Sequence, residues 1–100
     1  MSDAKDSLAA IARVVTALRD ERLAREFLHA LLTPRERMRL AGRWRLVCLL
    51  AAGVPQREIA RRLGMSLCKI TRGSRELRLG RPAFRNIVRR FARTQERTRT

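Results

Sequence analysis

Apolar residues recur at three- and four-residue spacing from Leu8 to Phe91, and β-branched residues nowhere alternate with polar ones over the length of a strand. That periodicity restricts the chain to helices. Leu8, Ile11, Val15 and Leu18 form one apolar stripe, Leu23, Phe27 and Leu31 a second, with the break between them at Asp20-Glu21. Thr33-Pro34-Arg35-Glu36 opens the next helix, because Thr33 can cap, Pro34 suits the first helical position and Glu36 completes a capping box. This helix carries Met38, Ala41, Trp44 and Val47 on one face, continues through Cys48 and Leu50, and stops at Gly53. Pro55 starts a short helix that Gly64 ends, and Ser66 caps another that reaches about Leu77 or Arg78. After Gly80-Arg81-Pro82 a last helix groups Phe84, Ile87, Val88 and Phe91, and the polar tail from Thr94 is expected to fray. The expected fold is all-α, with six helices in a single domain. Neutral N-terminal helices cover about 7–33, a basic core with a helical hairpin about 34–78, a C-terminal helix about 82–93, and the tail 94–100.

Charge divides the chain at Pro34. Residues 1–34 hold five basic residues (Lys5, Arg13, Arg19, Arg22, Arg25) and five acidic ones (Asp3, Asp6, Asp20, Glu21, Glu26), so the whole net charge of +15 lies beyond. A neutral scaffold half joined to a basic half points to a polyanionic partner. All basic residues except Lys5 and Lys69 are arginine, the side chain that grips phosphate and guanine edges bidentately. Platforms for stacking single-stranded bases are scarce, with no tyrosine, three phenylalanines and one tryptophan, so duplex DNA is the expected target.

The same residues argue against chemistry. Cys48 and Cys68 have no histidine or cysteine at metal-ligand spacing, and His29 has no acid or nucleophile placed to work with it. Cys48 reads as a buried small hydrophobe and Trp44 as core or subunit interface. No cofactor, metal or enzymatic activity is expected. The chain has no apolar run of membrane-spanning length, and Met1–Asp6 lacks the basic and apolar regions of a secretory signal, so a cytoplasmic protein is expected.

The stretch Gln56–Arg72 is the most informative. Ile59, Ala60 and Leu63 give its first helix an inner face, Gly64 sits where the chain reverses, and Met65 and Ile70 anchor a second helix onto the first. This is the pattern of a helix-turn-helix, whose second helix enters the major groove with its N-terminal residues toward the bases. Ser66, Leu67, Cys68, Lys69 and Thr71 form the groove-facing edge, with Met65 counted beside them at the turn. Leu67 and Cys68 are odd choices for a solvent face, and contact with thymine methyl groups would account for them. Gln56 and Arg57 are placed for phosphate or base-edge contacts, and Arg61, Arg75 and Arg78 for neutralising the DNA backbone.

Four strings occur in order: Leu32-Thr33-Pro34-x-Glu36-Arg37, Gly42-Arg43-x-Arg45-Leu46-Val47, Gln56-Arg57-Glu58 and Ile70-Thr71-Arg72-Gly73-Ser74. In these the chain resembles the Trp repressor family over about residues 8–92, the last string being the most specific. The resemblance implies an interlocked homodimer that binds a palindromic operator in double-stranded DNA with L-tryptophan as corepressor. It implies that Arg43 and Arg72 sandwich the indole, that Arg72 and Thr33 hold the carboxylate, and that carbonyls near Ala30 and Leu32 accept from the ammonium. Val47 is counted with this ligand set, and Gly73 leaves room for the ring. Read without the resemblance, Arg43 and Arg72 are phosphate contacts and Thr33 is an N-cap.

The chain departs from the family in three places. Glu76 stands where the family has a small hydroxyl near the ligand ammonium, and its carboxylate either pairs with that ammonium or fills the slot and changes the ligand. Lys69 replaces a threonine on the reading helix, and the turn Gly53-Val54-Pro55 is one residue shorter. The alternative reading is a ligand-independent relative, which would share the arginines but lack a Gly73-Ser74 pair. A third is a basic adaptor for RNA or protein.

Overall fold

The computed structural model describes the backbone of residues 3–98 and the side chains of residues 4 and 6–92. Its described residues form six helices and no strand: α1 (Asp3–Leu18), α2 (Glu21–Leu31), α3 (Pro34–Ala51), α4 (Gln56–Leu63), α5 (Leu67–Leu79) and α6 (Pro82–Thr98). The chain divides into two compact units, one through Arg37 and one from Met38 onward.

In the first unit the helix boundaries are set by local chemistry. Arg19 takes a left-handed conformation (φ 50°), uncommon for a residue with a side chain, and ends α1. Asp20 is extended, and its carboxylate accepts from the Arg22 N–H at 2.9 Å, capping α2. The expected capping box is present. The Glu36 N–H donates to Thr33 Oγ1 at 3.2 Å, and the Thr33 N–H donates to Glu36 Oε1 at 2.8 Å. Arg37, one turn further, donates from Nη1 to the His29 and Leu32 carbonyls, both at 2.8 Å. It thereby satisfies acceptors that the end of α2 leaves open. The apolar stripes of α1 and α2 are only partly covered, with Ile11, Val15, Leu18 and Phe27 half-buried. Leu8 is 67% exposed, Leu31 51%, and no described residue of this unit is buried.

The second unit holds the core. Leu46 and Leu49 of α3 meet Ile59 of α4 and Ile70 of α5, with Leu50, Val54, Ala60, Leu63 and Met65 packed around them. Val88 and Ala92 of α6 are also buried. Periodicity assigns the inner face of α3 to Met38, Ala41, Trp44 and Val47, and here the structure differs. Met38 is 77% exposed, Ala41 is exposed, Trp44 is half-buried, and the buried residues are the consecutive run Leu46–Leu49. At Leu46–Leu49 a full turn of α3 is buried, and a helix buried all round has no stripe to read. α6 differs too, because Ile87 and Phe91 lie 50% and 46% exposed while Val88 is fully buried. It also runs on to Thr98, past the end expected near residue 93, since Thr94–Thr98 contains no glycine or proline to stop it.

Glycines close α3 and α4 in the same way. Gly53 (φ 85°) donates to the Leu50 carbonyl and Val54 to that of Leu49, while after Gly64 (φ 63°) the Met65 N–H returns to the Ala60 carbonyl at 3.2 Å. A Cβ built on Gly64 meets nothing within 4 Å, so only the backbone demands glycine there. Gly64→Ala therefore isolates the left-handed strain and is expected to cost about 1–2 kcal/mol. Chemical denaturation measures it, and an unchanged midpoint would mean that the turn relaxes freely.

Candidate nucleic-acid interface and ligand residues

The pair α4–α5 is built so that one helix is held and the other displayed. Ile59 and Ile70 are both fully buried and face each other through the core, fixing α5 against α4. Ser66 caps α5 by accepting the Lys69 N–H on Oγ at 3.3 Å. The first turns of α5 are therefore ordered yet open: Ser66, Leu67, Cys68, Lys69 and Thr71 are all exposed, Leu67 at 48%. Met65 is half-buried against the core, its Cε 3.0 Å from where a Cβ on Gly42 would lie. Burial raises the pKa of the Cys48 thiol, whereas the Cys68 thiol is exposed.

One contact not evident from spacing joins the two helices. Thr71 Oγ1 donates to Gln56 Oε1 at 3.3 Å, which brings two of the expected DNA-facing residues together and leaves the Gln56 amide NH2 to donate elsewhere. Arg57 and Arg78 are exposed. Arg61 is exposed but engaged: with Arg62 it shares the carboxylate of Glu58, Arg62 Nε lying 3.2 Å from Oε2. Hydrogen bonds from Arg61 and then Arg62 hold the Glu58 carboxyl below the usual carboxylate range. The folded value lies below the unfolded one, so the pairing is fully present at neutral pH and is lost only as pH falls through that depressed value. Being exposed, it adds little stability. Its consequence is local, since one negative charge offsets part of the positive charge on α4. Neither Glu58 as organiser of two arginines nor Arg62 as its second partner stood out from the sequence.

The residues expected around a ligand are distributed as follows. In the first unit, Leu32 is half-buried and Thr33 exposed. The Thr33 hydroxyl accepts one N–H in its capping role, which leaves its proton available to a carboxylate. In the second unit Arg43, Arg72 and Glu76 are exposed, the last two one turn apart on α5. Val47 is 3% exposed and offers little surface to any ligand. Gly73 has a clear structural role. A Cβ there would lie 2.9 Å from Leu46 Cδ2 and 3.7 Å from Leu50 Cδ1, so the missing side chain lets α5 approach α3 closely.

Among the described residues no group of three His, Cys, Asp or Glu side chains is placed to hold a metal ion, and no helix is long and apolar enough to cross a membrane. A family model described as Trp repressor protein matches residues 6–92. Curated relatives carry the name Trp operon repressor homolog. The protein from Actinobacillus succinogenes is 48% identical over 60 residues, 59% of each chain, and that from Chlamydia caviae 41% over 64 residues, 63% of each. The one from Mannheimia succiniciproducens is 40% identical over 74 residues, 73% of each. In the first two the match spans less than two thirds of the relative's own length. No solved structure matches at the same level of significance.

Proposed function

The chain belongs to the Trp repressor family, whose members are regulators rather than enzymes, and we propose that it is a DNA-binding transcriptional repressor with L-tryptophan as corepressor. The observation that carries this reading is the α4–α5 pair. A fully buried hinge of Ile59 and Ile70 presents a Ser66-capped helix whose leading residues are exposed, in the part of the chain that holds all the net positive charge. A helix offered N-terminus first suits the major groove, where Lys69 can reach a base edge or phosphate and Leu67 and Cys68 can meet thymine methyls.

The protein acts as a homodimer on a palindromic operator. Two reading helices related by a two-fold axis must reach successive major grooves, about 34–36 Å apart. The exposed Leu8, Leu23 and Leu31 in the first unit and, separately, Ile87 and Phe91 of α6 in the second offer apolar surface for a second subunit to cover. Tryptophan can act as corepressor only if it binds the DNA-competent arrangement more tightly than the alternative, because equal affinity shifts nothing. Arg43 and Arg72 hold the indole, Arg72 and the Thr33 hydroxyl hold the carboxylate, and Glu76 pairs with the ammonium. A cytoplasmic site of action goes with this role.

Calorimetric titration of L-tryptophan into the protein without DNA tests the reading. Saturable heat at one site per subunit is expected. A well-folded protein that gives no heat would favour the second reading, a ligand-independent regulator, for which Glu76 in the ammonium position is the specific support. A shift with matched RNA but none with duplex DNA would instead point to the adaptor.

A further inference from the structure

From Leu77 to Gln95 the chain has no aspartate or glutamate, yet it carries Arg78, Arg81, Arg85, Arg89, Arg90 and Arg93. Arg81, Arg85 and Arg89 follow at four-residue spacing, and the same register continues in the sequence through Arg93 and Arg97. Residues four apart on a helix are neighbours, and like charges at that spacing repel and weaken the helix. Arg90, outside that register, lies over the Phe91 ring, 5.3 Å from its centroid. The ion pairs found among the described side chains are both made by Glu58 on α4, and the first turn of α6 has no acidic residue.

The stripe is joined to the reading head. Arg85 is half-buried and donates from Nη1 to the Arg78 carbonyl at 3.2 Å, satisfying an acceptor at the end of α5 and leaving most of its donors for other partners. Arg81 and Arg89, on either side of it in register, are exposed, as is Arg78 itself. α5 and α6 pack together within the same unit, so the arginines continue the basic surface of α5 away from its leading edge.

We propose that Arg81, just before α6, with Arg85 and Arg89 of α6 and Arg78 at the end of α5, forms a second polyanion-binding surface that grips duplex DNA backbone outside the helix-turn-helix. This extends the DNA-binding reading above and rests on it. The contact is independent of sequence: guanidinium groups take phosphate oxygens bidentately, and the self-repulsion of the stripe falls as they do. Its role is to add affinity for flanking and non-specific duplex, so that the protein is held near DNA before its reading helices are engaged.

The test is the salt dependence of binding to a random-sequence duplex, followed by fluorescence anisotropy between about 50 and 200 mM salt. Each phosphate contact contributes about 0.9 to the slope of log K against log salt, so Arg81→Gln with Arg89→Gln should shallow it by about 1.8 per subunit. Arg81→Lys with Arg89→Lys should keep the wild-type slope. Arg13→Gln with Arg25→Gln removes the same charge from the neutral N-terminal part and should leave the slope unchanged. Circular dichroism checks that each variant is folded. Wild-type and glutamine variants binding duplex with one common slope would overturn this proposal and leave the DNA-binding reading standing. A wild-type protein that ignores duplex would remove both. Loss of binding to phosphatidylglycerol vesicles in the glutamine variant, with its DNA slope intact, would assign the stripe to an anionic membrane and overturn the proposal.

Discussion

Ile70→Ala is expected to destabilise the protein by about 2–5 kcal/mol, the range for removing a fully buried branched side chain. Ile70 has no exposed surface and touches a core drawn from three helices, so the cavity cannot close by moving one side chain. In a domain of this size each kcal/mol moves the melting temperature by about 4–8 °C, and the total stability of a domain is typically only about 5–15 kcal/mol. The same substitution loosens α5 where it leans on α4, so affinity for DNA should fall even at temperatures where the variant remains folded. Ile70→Val removes one methylene and should cost about 0.5–1.5 kcal/mol with the reading head in place. Thermal unfolding followed by circular dichroism gives both values. An alanine variant within about 1 kcal/mol of wild type would contradict the packing described for this residue.

Arg72→Ala should abolish tryptophan dependence while barely moving stability. Arg72 is exposed, and it takes no part in the ion pairs found among the described residues, so removing it leaves no buried group unsatisfied. Surface changes of that kind stay within about 0.5 kcal/mol. In the proposed complex the guanidinium does two things at once, covering one face of the indole and pairing with the carboxylate, and alanine supplies neither. Calorimetry should then show no saturable heat, and DNA binding measured with and without L-tryptophan should coincide. Tryptophan dependence that survives in a folded Arg72→Ala protein would place the ligand elsewhere. A drop in DNA affinity with ligand dependence intact would instead make Arg72 a phosphate contact, as its residue type alone suggests.

Helix boundaries were legible where a cap is written into neighbouring residues. Thr33 with Glu36, Gly53, Gly64 and Ser66 each act within one turn, and each was found where the sequence placed it. The inner face of α3 was not legible, because Leu46 through Leu49 are all buried and periodicity then carries no phase. The arginines were the hardest to sort. In sequence Arg37, Arg61, Arg78 and Arg85 look alike, yet Arg37 ties off carbonyls of α2, Arg85 does the same for α5, and Arg61 is engaged by Glu58. Which donors remain for a phosphate depends on backbone acceptors several residues away. The Gln56–Thr71 contact escaped for the same reason, since fifteen positions separate its partners and only the turn at Gly64 brings them together. The resemblance implies that Gly73 leaves room for a ligand, and what the structure gives it is a close approach to Leu46.

The N-terminal unit, in which no described residue is buried, has a consequence for how such a regulator is kept in the cell. Helices whose apolar faces are only half-covered within one chain gain from what they associate with, and in the proposed homodimer that association follows mass action. For that proposed dimer, copy number sets both how many molecules exist and what fraction of them has a settled N-terminal half. In the proposed homodimer, a newly made chain has to find its companion before proteases find its half-covered helices. Dilution by growth and division would lower the count and the folded fraction together, making the response to a falling supply of repressor steeper than the supply itself.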